Sequence, residues 1–402
     1  MFKYPLGVNR ISKNTFYYNF PQNSDQFIRT GLFLSHQGDG KTNLLQSLVY
    51  GYKKAFDETK GKCGAIPIVF SILFEWTQIN YPSKDDNVSP ELEPDGIEAI
   101  QYTFQLANPP EEEKKLEIVS IPFCDLTVED LALFCGLRSN KELGIIAKYV
   151  KFLKKEKPDY TIDDFIDYIV EDKGVADALY YVFDKLRGEG FFNQDYLKFD
   201  WYNAIKQRKP IVFNLGEIDN VNLLQGIAGY LLRTLFDLAT IYYNAKRKYY
   251  TTGRKKSSLT EKERFLVENF NVALIFEEAH SFFMPNPSRM LLSSPATDYF
   301  RRITSQLGRK RGFKYSWLVT TNVMFIYDQL RKTDELIFGS RITADDWIFM
   351  DKELQIPRKI IEKISKNPKF GFCIMDPDRV RRLQTPCISL IRSYRSPCGM
   401  LE

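Results

Sequence analysis

The sequence predicts an α/β fold, a mainly parallel sheet with helices on both faces and an all-helical insertion. Three observations predict it. An apolar strand, GLFLS, runs through the loop HQGDGKT into a helical run, NLLQSLVYGYKKA, over 31–55. A second apolar run, NVALIFEEAH at 271–280, ends in two carboxylates and a histidine, as parallel strands do where their carboxyl ends meet a ligand. Between them, over 139–205, apolar residues recur three and four apart in ELGIIAKYVKFLKK, IDDFIDYIV and VADALYYVFDKL, which is helical spacing. The expected organisation is therefore a core split into 1–138 and 206–402 by an insertion at 139–205.

Composition bounds the function. A chain of 402 residues, 44% hydrophobic and 27% charged, can bury full cores, and wholesale disorder is excluded. The net charge of +5 permits a polyanionic partner without requiring one. Six cysteines lie scattered without a C-x-x-C pair, and His36 and His280 are the only histidines, so a zinc site is not expected. Such cysteines suit a reducing, cytoplasmic compartment, although intracellular thermophilic chains also carry disulfides. The N-terminal MFKYPLGVNR lacks an apolar leader pattern, and the longest apolar stretch, 227–243, carries Arg233 and Asp237. Neither signal peptide nor membrane span is expected.

The loop at 36–42 organises the rest. Gly38, Gly40, Lys41 and Thr42 follow the pattern G-x-x-x-x-G-K-[ST] between a strand and a helix, the context that a phosphate loop requires. Glycines let backbone N–H groups turn onto phosphate oxygens, and the helix N-terminus adds partial positive charge. Lys41 is expected to reach the β- and γ-phosphates and Thr42 to hold Mg²⁺ through its hydroxyl. Asp39 and Asn43 complete the expected nucleotide-binding set, with ATP and Mg²⁺ as ligands. Ser35 stands where the pattern has its first glycine, and serine tolerates positive φ less well, so a slightly altered turn is expected.

The remaining segments follow in order. Residues 1–30 show no clear period and read as a lead-in across the first strand. AIPIVFSILFEW (65–76) reads as a buried strand ending at Glu75 and Trp76, 81–94 as a loop, PPEEEKK (109–115) as a charged turn and LEIVSIPF (116–123) as a strand. Either Asp125 or Thr127 can cap the next helix, whose first turn carries Glu129 and Asp130. PIVFNL (210–215) resumes the sheet, and a long helix covers 221–246. A basic, turn-rich segment, 246–264, then carries Lys246, Arg247, Lys248, Arg254, Lys255 and Lys256. It is either a solvated surface loop or a nucleic-acid contact.

In the second acidic run, Glu277 can help to hold the Mg²⁺ water shell, and Glu278 can orient or deprotonate an attacking water. Its strand is expected to neighbour that of the phosphate loop. His280 is either a switch or a packed residue at a helix start. TDYFRRITSQLGRKRGFK (297–314) reads as a helix ending in a cluster of Arg309, Lys310, Arg311 and Lys314. Arg309 is either a helix C-terminal charge or a group acting on the γ-phosphate, in cis or across an interface, with Arg301, Arg302, Arg311 and Arg341 as rivals. YSWLVTTN (315–322) is a strand ending in two threonines and an amide, Asn322, where a γ-phosphate sensor would sit. A strand, turn and helix follow in DELIFGSRITADDWIFMD, then late strands in GFCIMDPD (371–378) and CISLIR (387–392).

The order of these motifs resembles the HerA/FtsK superfamily of P-loop ATPases, most of all the HerA-like branch that includes conjugative type IV secretion ATPases. The resemblance is carried from about residue 30 onward by GDGKT, IPFCDLTVEDLALFCGL, the helical insertion, PIVFNL with LLQGIAGYLLRTLFDLA, LIFEEAH, LGRKRG and VTTN. It implies a RecA-like P-loop NTPase core and ATP hydrolysis in a homo-hexamer that moves double-stranded DNA, each site completed by a neighbour. It also implies that Arg309 acts on the γ-phosphate and that Asn322 senses it. The alternatives are a motor for conjugative secretion or viral genome packaging, or a slow nucleotide-dependent scaffold that recruits a partner. Three departures stand out: Glu277 replaces the usual Asp, Asn322 the usual Gln, and no N-terminal β-barrel precedes the motor. The first two predict slower hydrolysis, and the third bears on how a nuclease or other partner would dock.

Overall fold

The computed structural model describes residues 1–10, 12–20, 22–23, 28–84, 87–104, 116–136, 140–171, 176–253, 255–283, 295–305, 308, 310–321, 323, 334–339, 343–366, 371–375, 388–393 and 395–397. Its strands are β1 (Phe2–Asn9), β2 (Thr15–Phe20), β3 (Arg29–Leu34), β4 (Ile66–Ser71), β5 (Ile100–Thr103), β6 (Glu117–Ser120), β7 (Leu197–Lys198), β8 (Ile211–Asn214), β9 (Val272–Phe276), β10 (Phe313–Thr320), β11 (Glu335–Phe338), β12 (Gly371–Met375) and β13 (Ile388–Ser393). The helices used below are α1 (Lys41–Glu58), α2 (Val128–Phe134), α3 (Asn140–Glu156), α4 (Ile162–Glu171), α5 (Ala176–Gly188), α6 (Trp201–Lys206), α7 (Val221–Thr251), α8 (Glu261–Asn269), α9 (Ala279–Phe283) and α10 (Pro295–Thr304).

Among the described residues, thirteen strands form one sheet in the order β2-β1-β13-β12-β11-β3-β10-β9-β4-β8-β5-β6-β7. From β11 across to β7 every pairing is parallel, and β12, β13, β1 and β2 extend that edge antiparallel. The parallel strands read as continuous apolar runs because both faces are covered. In β9, Val272, Leu274 and Phe276 enter one core while Ala273 and Ile275 enter the other, and β3 and β4 divide in the same way. Helix α1 covers one face through Leu44, Leu45, Leu48, Val49 and Tyr52. Helices α7, α9 and α10 cover the other.

The insertion is tied into that second core. Phe123 meets Tyr160, Phe165, Phe183 and Phe192 edge-on, with ring centroids 5.2–6.4 Å apart. Ile146, Tyr149, Phe165 and Phe183 share one continuous cluster with the strands. The described residues of 139–205 hold α3–α5, most of α6 and the two-residue β7, which pairs with β6. Of the two candidate caps for α2, Thr127 is used: it forms a capping box with Asp130.

Five sequence expectations change. Residues 1–30 are no plain lead-in, because β1 and β2 form an antiparallel hairpin that β13 docks to the sheet. The strand expected at 65–76 ends at Ser71, after which Phe74–Asn80 turns as a 3-10 helix. The helix expected to end at 246 runs to Thr251, so Lys246, Arg247 and Lys248 lie on α7 and not in a loop. The helix expected over 297–314 ends at Thr304, and Lys314 is a buried residue of β10. Finally, the phosphate-loop strand β3 and the acidic strand β9 are not neighbours, since β10 pairs with both. The charged turn expected at 109–115 lies outside the described residues.

Helix α7 sets the scale of the molecule. Its 31 residues span about 46 Å at 1.5 Å per residue, against about 13 Å for the four residues of β8 that precede it. It therefore overshoots the amino edge of the sheet, and α8, capped by Thr260 and Glu263, returns toward β9. Lys246, Arg247, Lys248 and Lys255 lie at this overshooting tip.

Strand β3 accepts its neighbour only because residue 31 is glycine. Gly31 faces Trp317 in the β3–β10 register, and a Cβ there would lie 2.3 Å from the indole ring. The indole is pinned from the other side, where Trp317 Nε1 donates to Tyr52 Oη at 2.7 Å. Gly31→Ala is expected to destabilise the fold by about 1–3 kcal/mol, the usual range for overpacking. Urea denaturation checks this, and an unchanged midpoint would show that Trp317 can move aside.

Candidate nucleotide site

The loop after β3 turns on two glycines. Gly38 (φ 82) and Gly40 (φ 86) are left-handed, as a phosphate loop requires, and nothing lies within 4 Å of where a Cβ on Gly38 would stand. Gly40 caps α1 in the left-handed conformation, so the first-turn N–H groups of the helix point toward the loop. Ser35 does not disturb the turn as expected: it has no positive φ, and its N–H continues the ladder to Thr320 O at 3.2 Å. The demand for glycine falls across the sheet instead. A Cβ on Gly339 would lie 2.3 Å from Ser35 Oγ and 3.2 Å from Asp39 Oδ2.

The loop and the end of β9 meet although they are more than 200 residues apart. Thr42 Oγ1 donates to Glu277 Oε1 at 2.9 Å, and the Lys41 ammonium pairs with Glu278 Oε1. Glu277 is fully buried and its second oxygen is held as well: Ser71 Oγ donates to Oε2 at 2.7 Å and Trp76 Nε1 at 2.6 Å. Burial raises the Glu277 pKa above the usual carboxylate value, opposed by the Trp76, Ser71 and Thr42 hydrogen bonds and by the Lys41 charge. The floor is an aromatic ladder, in which Phe276 stacks on Phe70 at 4.4 Å and Phe70 on Phe213 at 5.1 Å.

His280 stands one turn beyond. Its Nδ1 lies 3.0 Å from Thr320 Oγ1, at the end of β10, and 3.5 Å from Glu278 Oε2. Burial lowers its pKa, Lys41 lowers it further and Glu278 opposes the shift. The ring joins the acid to the strand between the two motifs.

The other expected residues divide. Asp39 is buried beside Ser35 and Gly339, and Asn43 Oδ1 accepts from Ser396 N at 2.9 Å. Arg309, Asn322 and Arg254 lie outside the described residues, as does the rival Arg341. A second rival, Arg311, is docked against α7, its guanidinium 4.9 Å from the Phe236 ring centre and 5.2 Å from that of Tyr243. At the tip of α7, Lys246 donates to Tyr242 Oη at 3.0 Å, Arg247 lies over Tyr243 and Lys248 is 3.6 Å from Glu263. Lys255 and Lys256 begin the short turn between α7 and α8. These residues sit at the amino edge of the sheet, whereas the loop and β9 meet at its carboxyl edge. Sequence reasoning placed the two threonines at the end of β10 at the site and missed Ser71, Trp76 and Gly339; of these, only the polar Ser71 within an apolar run gave a signal.

The donor set fits Mg²⁺ and nucleotide. Among the described residues no group of three or more His, Cys, Asp or Glu side chains could hold a metal unaided. A hydroxyl hydrogen-bonded to one buried carboxylate suits an ion that keeps most of its waters and takes phosphate oxygens as partners.

The buried charge has a consequence for stability. In Glu277→Gln the amide oxygen can accept from Ser71 and Trp76 while the amide N–H donates to Thr42 Oγ1, so no partner is orphaned. Because the folded-state pKa of Glu277 is raised, its favourable contribution is complete below the unfolded value and is lost as pH rises through the folded one. The variant is therefore expected to melt no lower than the wild type at pH 7, its relative stability shrinking toward pH 4. Thermal melts across that range decide it, and a large loss at pH 7 would contradict the assignment.

No family model matches the chain, and no curated protein matches it. Solved structures do. VirB4 of Thermoanaerobacter pseudethanolicus aligns with a TM-score of 0.61 at 11% identity, covering 98% of this chain and 97% of that one. The plasmid coupling protein TrwB, in complex with ADP and Mg²⁺, aligns at 0.48 and 11% identity over 93% and 91% of the two chains. The genome packaging NTPase B204 from Sulfolobus turreted icosahedral virus 2, in complex with AMPPCP, aligns at 0.38 and 9% identity over 90% and 97%. The chain thus has the fold of that VirB4 structure, a RecA-like P-loop core with a mostly parallel sheet and helical insertions.

Proposed function

We propose that the chain is a Mg²⁺-dependent ATPase working as a ring motor on double-stranded DNA. The observation that carries this reading is the meeting of Thr42 with Glu277 and of Lys41 with Glu278. Bound Mg²⁺ would supply neutralisation of phosphate charge. Lys41 exchanges Glu278 for a phosphate oxygen, which frees Glu278 to orient the attacking water. Gly38, Asp39, Gly40 and Asn43 shape the loop. Arg309 is assigned to the γ-phosphate of a site on a neighbouring subunit, and Asn322 to sensing it, within a homo-hexamer in the cytoplasm.

The DNA contact is assigned to Lys246, Arg247, Lys248, Arg254, Lys255 and Lys256. Cations held beside tyrosine rings at an exposed tip suit a phosphate backbone and carry no base code, so binding should be sequence-tolerant and salt-dependent. Cargo and partner, whether for repair with a nuclease, conjugative secretion or packaging, follow from what the ring recruits.

ATP turnover with and without double-stranded DNA, beside a mass measurement, tests the whole reading. DNA-stimulated hydrolysis by a hexamer is expected, whereas tight ATP binding with little turnover and no DNA response would favour a scaffold. Lys41→Ala should abolish hydrolysis and weaken ATP binding, and Glu278→Gln should keep binding while turnover falls about 10²-fold or more. Neutralising the basic tip should weaken DNA binding about equally across sequences and flatten its salt dependence. Unchanged affinity and slope there would return the tip to a solvated surface.

A further inference from the structure

We propose that Trp76 and Ser71 are positioning residues for the metal-bound nucleotide. They clamp one oxygen of Glu277 so that the other stays on the Thr42 hydroxyl. The inference rests on the proposed function only as far as Mg²⁺-linked nucleotide binding, and it explains how a glutamate serves where an aspartate is usual.

Glutamate has one more rotatable bond than aspartate, and an unheld carboxylate would lose ordering entropy each time it faced the ion. Here the extra reach is used up. Oε2 accepts the Trp76 indole N–H at 2.6 Å and the Ser71 hydroxyl at 2.7 Å, which leaves Oε1 directed at Thr42, 2.9 Å away. Both clamps are charge-assisted. Neither can drift: Trp76 is fully buried, its carbonyl accepts Gln101 Nε2 at 3.2 Å, and Ser71 Oγ accepts Leu73 N at 2.9 Å. Ser71 ends β4, which pairs with β9, the strand that Glu277 follows, and Trp76 lies in the 3-10 helix just after β4. A tryptophan that merely filled space would not need its N–H aimed at the carboxylate.

The test uses the full chain and equilibrium binding of a fluorescent, non-hydrolysable ATP analogue, once with Mg²⁺ and once with EDTA. The factor by which Mg²⁺ tightens binding is the readout. Trp76→Phe and Ser71→Ala should each lower that factor about tenfold and leave metal-free affinity unchanged, the size usual for a group that orients a metal ligand. In a Glu277→Gln background Trp76→Phe should have no further effect, since it acts through that acid. An undiminished Mg²⁺ factor in both single variants overturns the inference, as does a Trp76→Phe loss that adds in full to that of Glu277→Gln. Should Trp76→Phe fail to fold, Ser71→Ala decides alone because it removes only a hydroxyl. Wild-type protein that shows the Mg²⁺ factor but no DNA-stimulated turnover sinks the motor and leaves the clamp standing; wild-type protein without the factor sinks the clamp.

Discussion

Two carboxylates buried side by side constrain this molecule more than any other feature. Glu277 and Glu278 follow the last residue of β9, and both side chains are almost wholly withdrawn from water. A buried charge is tolerated only when hydrogen-bonded or paired. The partners must therefore come from both sides. Ser71 arrives from the end of β4, which pairs with β9, and Trp76 from the 3-10 helix after it, while Lys41 and Thr42 come from the start of α1, on the far side of β10.

The same sheet separates chemistry from charge. The phosphate loop and the acids lie at its carboxyl edge, and α7 carries the basic residues past its amino edge. That helix buries Leu223, Leu224, Ile227, Leu231, Leu235 and Leu238 against the core before it leaves the protein body. Its exposed end is stiffened by cations over tyrosines, each worth about 0.5–1 kcal/mol at such sites. Coupling between a nucleotide and a polyanion at the two edges would have to pass through this helix or the strands beside it.

Much of this was legible because its signals are local. The glycine-rich loop, the acidic end of β9 and the helical spacing of α3–α5 are each written within a few consecutive residues, and their elements formed where expected. What failed depends on distant partners. Residues 2–9 and 15–20 form strands because β13, from the other end of the chain, gives β1 an edge to pair with. Helix α7 continues through KRKYY because lysines and arginines are good helix formers, whatever turn signals follow. Trp76 read as a strand end because an indole in an apolar run looks like core, and only the fold shows that its N–H meets an acid from residue 277. The insertion of β10 between β3 and β9 leaves no trace in either motif.

One strained residue makes the acidic pair workable. Successive side chains of a regular strand point to opposite faces, so two adjacent glutamates on β9 could not both reach the phosphate loop. The strand stops at Phe276, and Glu278 takes a left-handed conformation, φ 51, which is uncommon for a residue with a Cβ. That turn breaks the alternation: Glu277 enters the clamp of Ser71, Trp76 and Thr42 while Glu278 comes over Lys41. Glycine would relieve the backbone and remove the carboxylate. Strain of this kind costs of order 1–3 kcal/mol and persists only where the surroundings fix it. Here Ser281 N donates to Glu278 O at 2.8 Å as α9 begins, and Glu277 N donates to Phe70 O at 2.9 Å. Holding the backbone on both sides of the turn is what lets two successive residues face Thr42 and Lys41 at once.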